Sequence, residues 1–342
     1  MNFPLAVVGR GAVTPAGIGL EALRAGRPER VLLSSVRNAK LAWPVLRVSA
    51  NAPELARWQR EPRLRRASPL SLFLIEAAAQ ALGTATEDER AQTGLLVALS
   101  AGCLVYTHRF FEGVLAQGRK MASPALFPET VFNSPGSHVA ATLRLNGAAS
   151  VLLGDETAWL AALRMAAVWL KQGRVRQVLI VGGEEFDPLM LDAYRSARWL
   201  GRPGMAGARG FMPGEGAAAL LLRAAGPGDA PMIDGVRDGF LHRGGDSAAR
   251  AAEKLFAGIE AGKTIWRTAA HNRMGALEEK MCAGRPGAAA VDPGPYLGEA
   301  FTASAGWQVL RALEAKADLV LPFWGLNHQL GRLEVRNVER RT

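Results

Sequence analysis

Along nearly the whole chain, apolar runs of strand length alternate with segments of helical length, and that alternation confines the fold to the α/β class. The stretch Gly147-Ala-Ala-Ser-Val-Leu-Leu-Gly154 shows the unit. An apolar strand over 148–153 meets a tight turn, Gly154-Asp155-Glu156-Thr157, and a helix follows over 158–172. Apolar residues run all round that helix, so it reads as central and buried. Further core strands are expected over 5–13, 94–101, 176–182 and 217–222. A helix over 68–82 has Ser68 as N-cap and Pro69 at its first position. Phe110 opens a short helix over 110–118.

A linker-like run, Ala224-Ala-Gly-Pro-Gly-Asp-Ala-Pro231, interrupts the pattern, which then begins again. Strands are expected over 232–240, 264–271, 288–291, 319–321 and 333–335, with helices over 248–261, 277–283 and 303–315. The chain thus divides into parts 1–224 and 225–342 with similar rhythm. This suggests a structural duplication, although no sequence-level repeat is visible.

Composition narrows the function classes. The 342 residues are 49% hydrophobic and 21% charged, which fits a folded globular protein and not a disordered one. The chain opens directly into a strand without a secretory leader, and no apolar run reaches the roughly 18 residues of a membrane helix. Two cysteines, Cys103 and Cys282, have no metal-ligand or redox spacing and suggest a reducing compartment. A cytoplasmic protein without a membrane span is expected. His108, His138, His242 and His328 share no ligand spacing, so no metal is expected. Gly9-Arg10-Gly11 lacks the rest of a dinucleotide fingerprint, so no cofactor is expected either. The net charge of +10 fits an arginine-rich surface or an acidic partner. With 7% aromatics and scattered arginines, nucleic acid is not expected. An acidic carrier protein, steered by a basic rim such as Arg60-Glu-Pro-Arg63-Leu-Arg65-Arg66, remains open.

Five segments, in order, carry a family likeness. They are Val7-Val-Gly-Arg-Gly11-Ala-Val-Thr-Pro15-Ala-Gly17, Ser123-Pro-Ala-Leu-Phe127-Pro-Glu-Thr-Val-Phe132-Asn133-Ser134, Val181-Gly-Gly-Glu184-Glu185, Phe211-Met-Pro-Gly214-Glu215-Gly216-Ala217 and Gly325-Leu-Asn327. Together they resemble the β-ketoacyl synthase branch of the thiolase-like condensing enzymes. The resemblance implies a thiolase-like fold: two pseudo-duplicated βαβαβαββ halves in an α-β-α-β-α layering, with the nucleophile position in the first half and a shortened second half. It also implies an acyl-transfer chemistry based on a thiolate at a helix N-terminus, supported by two histidines and a lysine.

Read against that family, Glu156 stands where the cysteine belongs. The first histidine falls on His271. The second falls in Gly298-Glu299-Ala-Phe-Thr-Ala-Ser-Ala-Gly306, where it has become Glu299. The lysine has no counterpart in Val291-Asp-Pro-Gly-Pro-Tyr-Leu297, and Asn327 marks the closing glycine-rich loop. A carboxylate is a poor acyl acceptor from a thioester, because the mixed anhydride it would form lies uphill. No catalytic residue is therefore expected; Glu156, His271, Glu299 and Asn327 mark degenerate positions. A helix-capping acid, Asp155 or Glu156, is the other reading of the turn, and an ordinary strand-end histidine that of His271.

The resemblance further implies a dimer in which the strand before the elbow pairs with its counterpart. The interface residues would be Ala148, Ala149, Ser150, Val151, Leu152 and Leu153, with Phe132 and Asn133. Chain-length factors, which lack the cysteine and pair with an active ketosynthase, are similar to this chain. By that likeness Phe110, Phe111, Leu115, Phe127 and Phe132 would shape an acyl tunnel; plain core packing is the other reading. The resulting expectation is a non-catalytic subunit in heterodimer with an active β-ketoacyl-ACP synthase, serving polyketide, aryl-polyene or fatty-acid-type elongation. Acyl carrier protein would be a second partner. A malonyl-ACP decarboxylase using Glu156 and His271, or a homodimeric acyl- or ACP-binding pseudoenzyme, are the alternatives.

Overall fold

The computed structural model describes residues 3–201, 210–259, 263–269, 274–283, 289–291 and 294–337. Its strands are β1 (Leu5–Thr14), β2 (Gly17–Ile18), β3 (Arg30–Ser34), β4 (Ala42–Leu46), β5 (Thr93–Leu99), β6 (Ala149–Leu153), β7 (Gln177–Glu184), β8 (Gly216–Ala224), β9 (Met232–Leu241), β10 (Thr264–Arg267), β11 (Ala289–Val291), β12 (Leu319–Trp324) and β13 (Gln329–Arg336). Ten of them lie in the order β11-β10-β12-β13-β9-β1-β8-β7-β5-β6.

That order contains one pattern twice. In the first set β6, β5 and β7 run parallel, and β8 and β1 then follow antiparallel. In the second set β11, β10 and β12 run parallel, followed by antiparallel β13 and β9. The sets meet through only two residue pairs, Leu5↔Ile233 and Ala6↔Met232.

The period-2 alternation of the strands builds two faces. On β7, Val178 and Ile180 point into a central core while Leu179 and Val181 point into an outer one. On β8, Ala218, Leu220 and Leu222 alternate with Ala217, Ala219 and Leu221 in the same way. The central core is filled by the helices Ala158–Lys171 and Thr302–Ala312, which pack between the two sets of strands. The helix Pro69–Leu82 covers the outer face of the first set. Gly9 and Gly11 let it approach, because a Cβ at either would fall about 2 Å from a carbonyl oxygen of that helix. A third core joins the helix Gly245–Phe256 to the outer face of the second set. The layering is thus helix, sheet, helix, sheet, helix, as the resemblance implies.

Several local expectations change. The helix Pro69–Leu82 starts as read, with the Ser68 hydroxyl accepting from the Ser71 N–H. The short helix expected over 110–118 is instead Leu104–Gln117, and none of its residues is buried. The edge strand begins at Ala149, one residue later than expected. The hairpin β3–β4 and the helix Pro188–Ser196 were not expected. Among the described residues no helix is long and apolar enough to cross a membrane, and no cluster of His, Cys, Asp or Glu could hold a metal ion.

Candidate functional site

The strand-turn-helix unit forms as read. β6 ends at Leu153, the Gly154 N–H donates to the Leu99 carbonyl at 3.0 Å, and the helix begins at Ala158. The two acids of the turn have different surroundings. Asp155 is fully used: one oxygen accepts from the Thr157 N–H at 3.0 Å and the Thr157 hydroxyl at 2.7 Å, the other from the Asn327 N–H at 2.8 Å. It ties the turn to the closing loop Gly325-Leu326-Asn327. Gly325 is required there, since a Cβ would lie 2.3 Å from an Asp155 oxygen.

Glu156 is buried, and among the described residues neither of its carboxylate oxygens has a hydrogen-bond partner. Burial pushes its pKa well above the usual carboxylate range, and the charges of Glu299 and Asp155 push the same way. The backbone N–H groups of Glu156 and Leu326 oppose this without completing a hydrogen bond. These surroundings favour the neutral acid over the carboxylate. Neither acid caps the helix: its N-cap is Thr157, without a side-chain cap bond, and Asp155 closes the turn onto Thr157.

Glu299 reaches the same place from the other set of strands. It follows Gly298, whose φ is +84°, and its backbone crosses the Gly214 turn through Gly214 N–H to Glu299 carbonyl at 2.9 Å. One carboxylate oxygen accepts from the Phe301 N–H at 2.9 Å. Phe301 holds a φ of +42°, a region a bulky residue rarely adopts, and this turns its ring inward. His271 lies outside the described residues.

The acid motifs bracket this centre. Glu184 accepts from the N–H groups of Ser100 and Ala101 and from the Thr302 hydroxyl. Glu185 accepts from the N–H groups of Leu70 and Val105. Burial still outweighs these donors, raising the two groups to about 7 and about 8. Glu215 takes a two-pronged contact from Arg47, at 2.9 and 3.1 Å, and the N–H groups of Val48 and Phe186. Each of these carboxylates ties together segments far apart in the chain.

Beside the elbow lies a cavity of about 340 Å³. Leu104, Met190, Tyr194, Trp199, Phe301 and Leu326 supply most of its wall, and Ser100, Asp155 and Asn327 its polar part. It opens where the C-terminal ends of parallel strands converge, the usual place for ligands in α/β sheets. Sequence reasoning missed Tyr194 and Trp199. The available signal was Asp187-Pro188, a helix start whose aspartate accepts from the Leu189 N–H.

The expected interface and tunnel residues lie elsewhere. β6 is an end strand of the sheet, and its outer edge has no partner among the described residues. Leu153, Phe111, Leu115, Phe127 and Phe132 are exposed, Leu115 by 85%. Phe110 sits against Phe111 and Phe127 with ring centroids 5.6 and 5.7 Å apart. Asn133 is also exposed, whereas Ala148 is half-buried. None of the five phenylalanine and leucine positions lines the cavity beside the elbow. Cys103 is buried with its thiol pushed up to about 12, mainly by burial, so it offers no alternative nucleophile.

The model of the beta-ketoacyl synthase N-terminal domain matches residues 38–226, more than half of the chain. The chain belongs to the β-ketoacyl synthase family. No curated protein sequence matches it. Among solved structures, the ishigamide ketosynthase/chain length factor aligns with a TM-score of 0.78 at 20% identity, covering 98% of this chain and 99% of that one. A β-ketoacyl synthase from Burkholderia phymatum gives 0.75 at 17%, covering 98% and 100%. The AntDE:AntF complex, a type II polyketide acyl-carrier protein with its ketosynthase, gives 0.75 at 15%, also covering 98% and 100%. At these identities the likeness establishes the ketosynthase fold over the whole chain.

Proposed function

We propose that this ketosynthase-family chain is a non-catalytic, chain-length-factor-like subunit that pairs with an active β-ketoacyl-ACP synthase. The reading rests on the elbow side chain, a buried carboxyl with no hydrogen-bond partner among the described residues, taken to occupy the seat where the family places its thiolate. A neutral acid there neither attacks a thioester nor leaves from one. Glu299, bonded to its own loop, replaces a histidine that would handle charge on the substrate. The similarity to a ketosynthase/chain length factor agrees with this reading.

The exposed surface supports a partner. An apolar edge strand without proline or charge is a template for pairing. Phe111, Leu115, Phe127 and Phe132 add an apolar patch that an isolated chain would not be expected to leave in water. Gly136 connects the two regions by packing against Val97 and Val151. In the assembled pair the phenylalanines would close an acyl tunnel. Carrier-protein docking is favoured by Arg60, Arg63, Arg65 and Arg66, which are exposed and make no ion pair among the described residues. The chain would be divided into its two halves near residue 224.

Mixing the chain with a ketosynthase that retains its cysteine, and measuring mass by light scattering, tests the pairing. A mixed dimer is expected; two separate species would remove the proposal. Incubating the chain alone with malonyl-carrier protein tests the rival decarboxylase. No acetyl-carrier is expected, and its formation in the wild type but not in Glu156→Ala would transfer the function to that enzyme.

A further inference from the structure

We propose that the hairpin β3–β4 is a docking surface for an anionic phospholipid bilayer, with an apolar tip that enters the lipid interface and flanking cations that hold lipid phosphates. This goes beyond pairing and concerns residues that do not line the cavity beside the elbow. The hairpin has one packed face and one bare face, as the alternation of its strands requires. On the packed face Val45 is buried, and Leu33 and Trp43 join it against Phe186, Tyr194 and Phe211. Leu32, paired with Pro44, stands on the other face and is 70% exposed. Every residue of the connecting turn from Val36 to Leu41 is exposed, so two more apolar side chains face water there.

Hydrogen bonds fix that turn in place. The Asp192 carboxylate, on the helix Pro188–Ser196, accepts from the Ser35 hydroxyl at 2.6 Å and from the Arg37 N–H at 3.1 Å. The Ser35 oxygen in turn accepts from the Asn38 N–H at 3.0 Å, and the Ser35 N–H donates to the Leu41 carbonyl at 2.8 Å. Val36 and Leu41 are thus presented on a preformed loop, and preformed geometry lowers the cost of binding.

Charge decides the occupant. Between residues 27 and 41 the cations are Arg27, Arg30, Arg37 and Lys40, and the only carboxylate is Glu29. All four cations are exposed, and none makes an ion pair among the described residues. A folded protein partner would need about 800 Å² of complementary surface. A bilayer closes around a few protruding apolar groups, and its anionic headgroups match the flanking cations. Each cation near such a surface strengthens attachment about fivefold.

Cosedimentation of the full chain with lipid vesicles, without any partner, tests the surface. The probes are mixed phosphatidylglycerol–phosphatidylcholine vesicles and pure phosphatidylcholine vesicles. Binding to the mixed vesicles is expected, at least about tenfold tighter than to pure phosphatidylcholine and weaker with added salt. Arg37→Gln with Lys40→Gln should weaken it about 10- to 30-fold. Leu32→Ser with Val36→Ser should weaken it about 5- to 20-fold. These side chains are exposed, so unfolding midpoints should stay within a few degrees. Lys171→Gln with Arg176→Gln removes the same charge at exposed positions elsewhere and should weaken binding less than about threefold. Cys103 and Cys282 are buried, so Leu32→Cys can carry an environment-sensitive dye, whose emission should shift to the blue on the mixed vesicles. No binding to the mixed vesicles, equal binding to pure phosphatidylcholine, an unshifted dye, indifference to either hairpin pair, or an equal loss in the control pair would each overturn the assignment. So would a hairpin pair that lowers the mass of the chain's own assemblies in light scattering, which would give this face to a protein. Pairing and the state of Glu156 stand apart, since neither enters the experiment.

Discussion

Two regions of this molecule bury acids and treat them in opposite ways. Glu184, Glu185 and Glu215 each accept from two or more donors, mostly backbone N–H groups at the ends of distant elements. They behave as fasteners: one carboxylate satisfies several amides that would otherwise be buried and unpaired. Glu156 is also buried and has no such donors among the described residues. Desolvation without compensation is costly, so a residue whose only task was stability would be a poor choice there. The contrast separates acids that fasten the fold from one that does not.

The comparison can be broken most directly at the fasteners. Glu215→Ala leaves the Arg47 guanidinium without its carboxylate and two N–H groups without acceptors. Chemical denaturation should show a loss of about 3–5 kcal/mol. A loss below about 1 kcal/mol would mean that these acids are not fasteners at all. At the elbow the sign should reverse. Glu156→Met removes a buried polar group without partners and is expected to raise stability by about 1–3 kcal/mol. A loss of stability would show that Glu156 has partners not seen here.

Titration sharpens the contrast further. The folded pKa of Glu156 lies well above the ordinary 4.5, so above pH 4.5 the unfolded chain releases a proton that the folded chain keeps. Stability contributed by the neutral form is therefore full below pH 4.5 and declines as pH rises toward the folded pKa. Glu156→Gln cannot titrate, so it should exceed wild type in stability at pH 8 and converge with it toward pH 4.5. Parallel curves would disprove the neutral-acid state. The smallest folding effect is expected at the surface. Phe111→Asp should change unfolding free energy by less than about 0.5 kcal/mol, while weakening the mixed dimer at least about tenfold. Unchanged dimer affinity would place the partner on another face.

Much of the scaffold was legible because its signals are local. The apolar strand 148–153, the break at Gly154 and the helix after it lie within one short stretch, as does the Ser68-Pro69 helix start. The rest depends on distant groups. Asp155 takes two bonds from neighbouring Thr157, but the third, which ties the turn to the closing loop, comes from Asn327, 172 residues away. The cavity wall is assembled from five separated segments, so Tyr194 looked like one aromatic on an ordinary polar stretch. The hairpin β3–β4 escaped notice because its first strand is mostly exposed and lacks alternation. The helix Leu104–Gln117 has no packed face to mark its reach, since none of its residues is buried.

The two residue pairs between β1 and β9 imply one more property of the chain. Cohesion between its first and second strand sets resides mainly in interleaved helices, with a short ladder of amides that the connecting peptide extends through the Val7 N–H and the Pro231 carbonyl. Severed at that peptide, the fragments should recognise each other and reassemble on mixing, which would make this scaffold a usable split reporter.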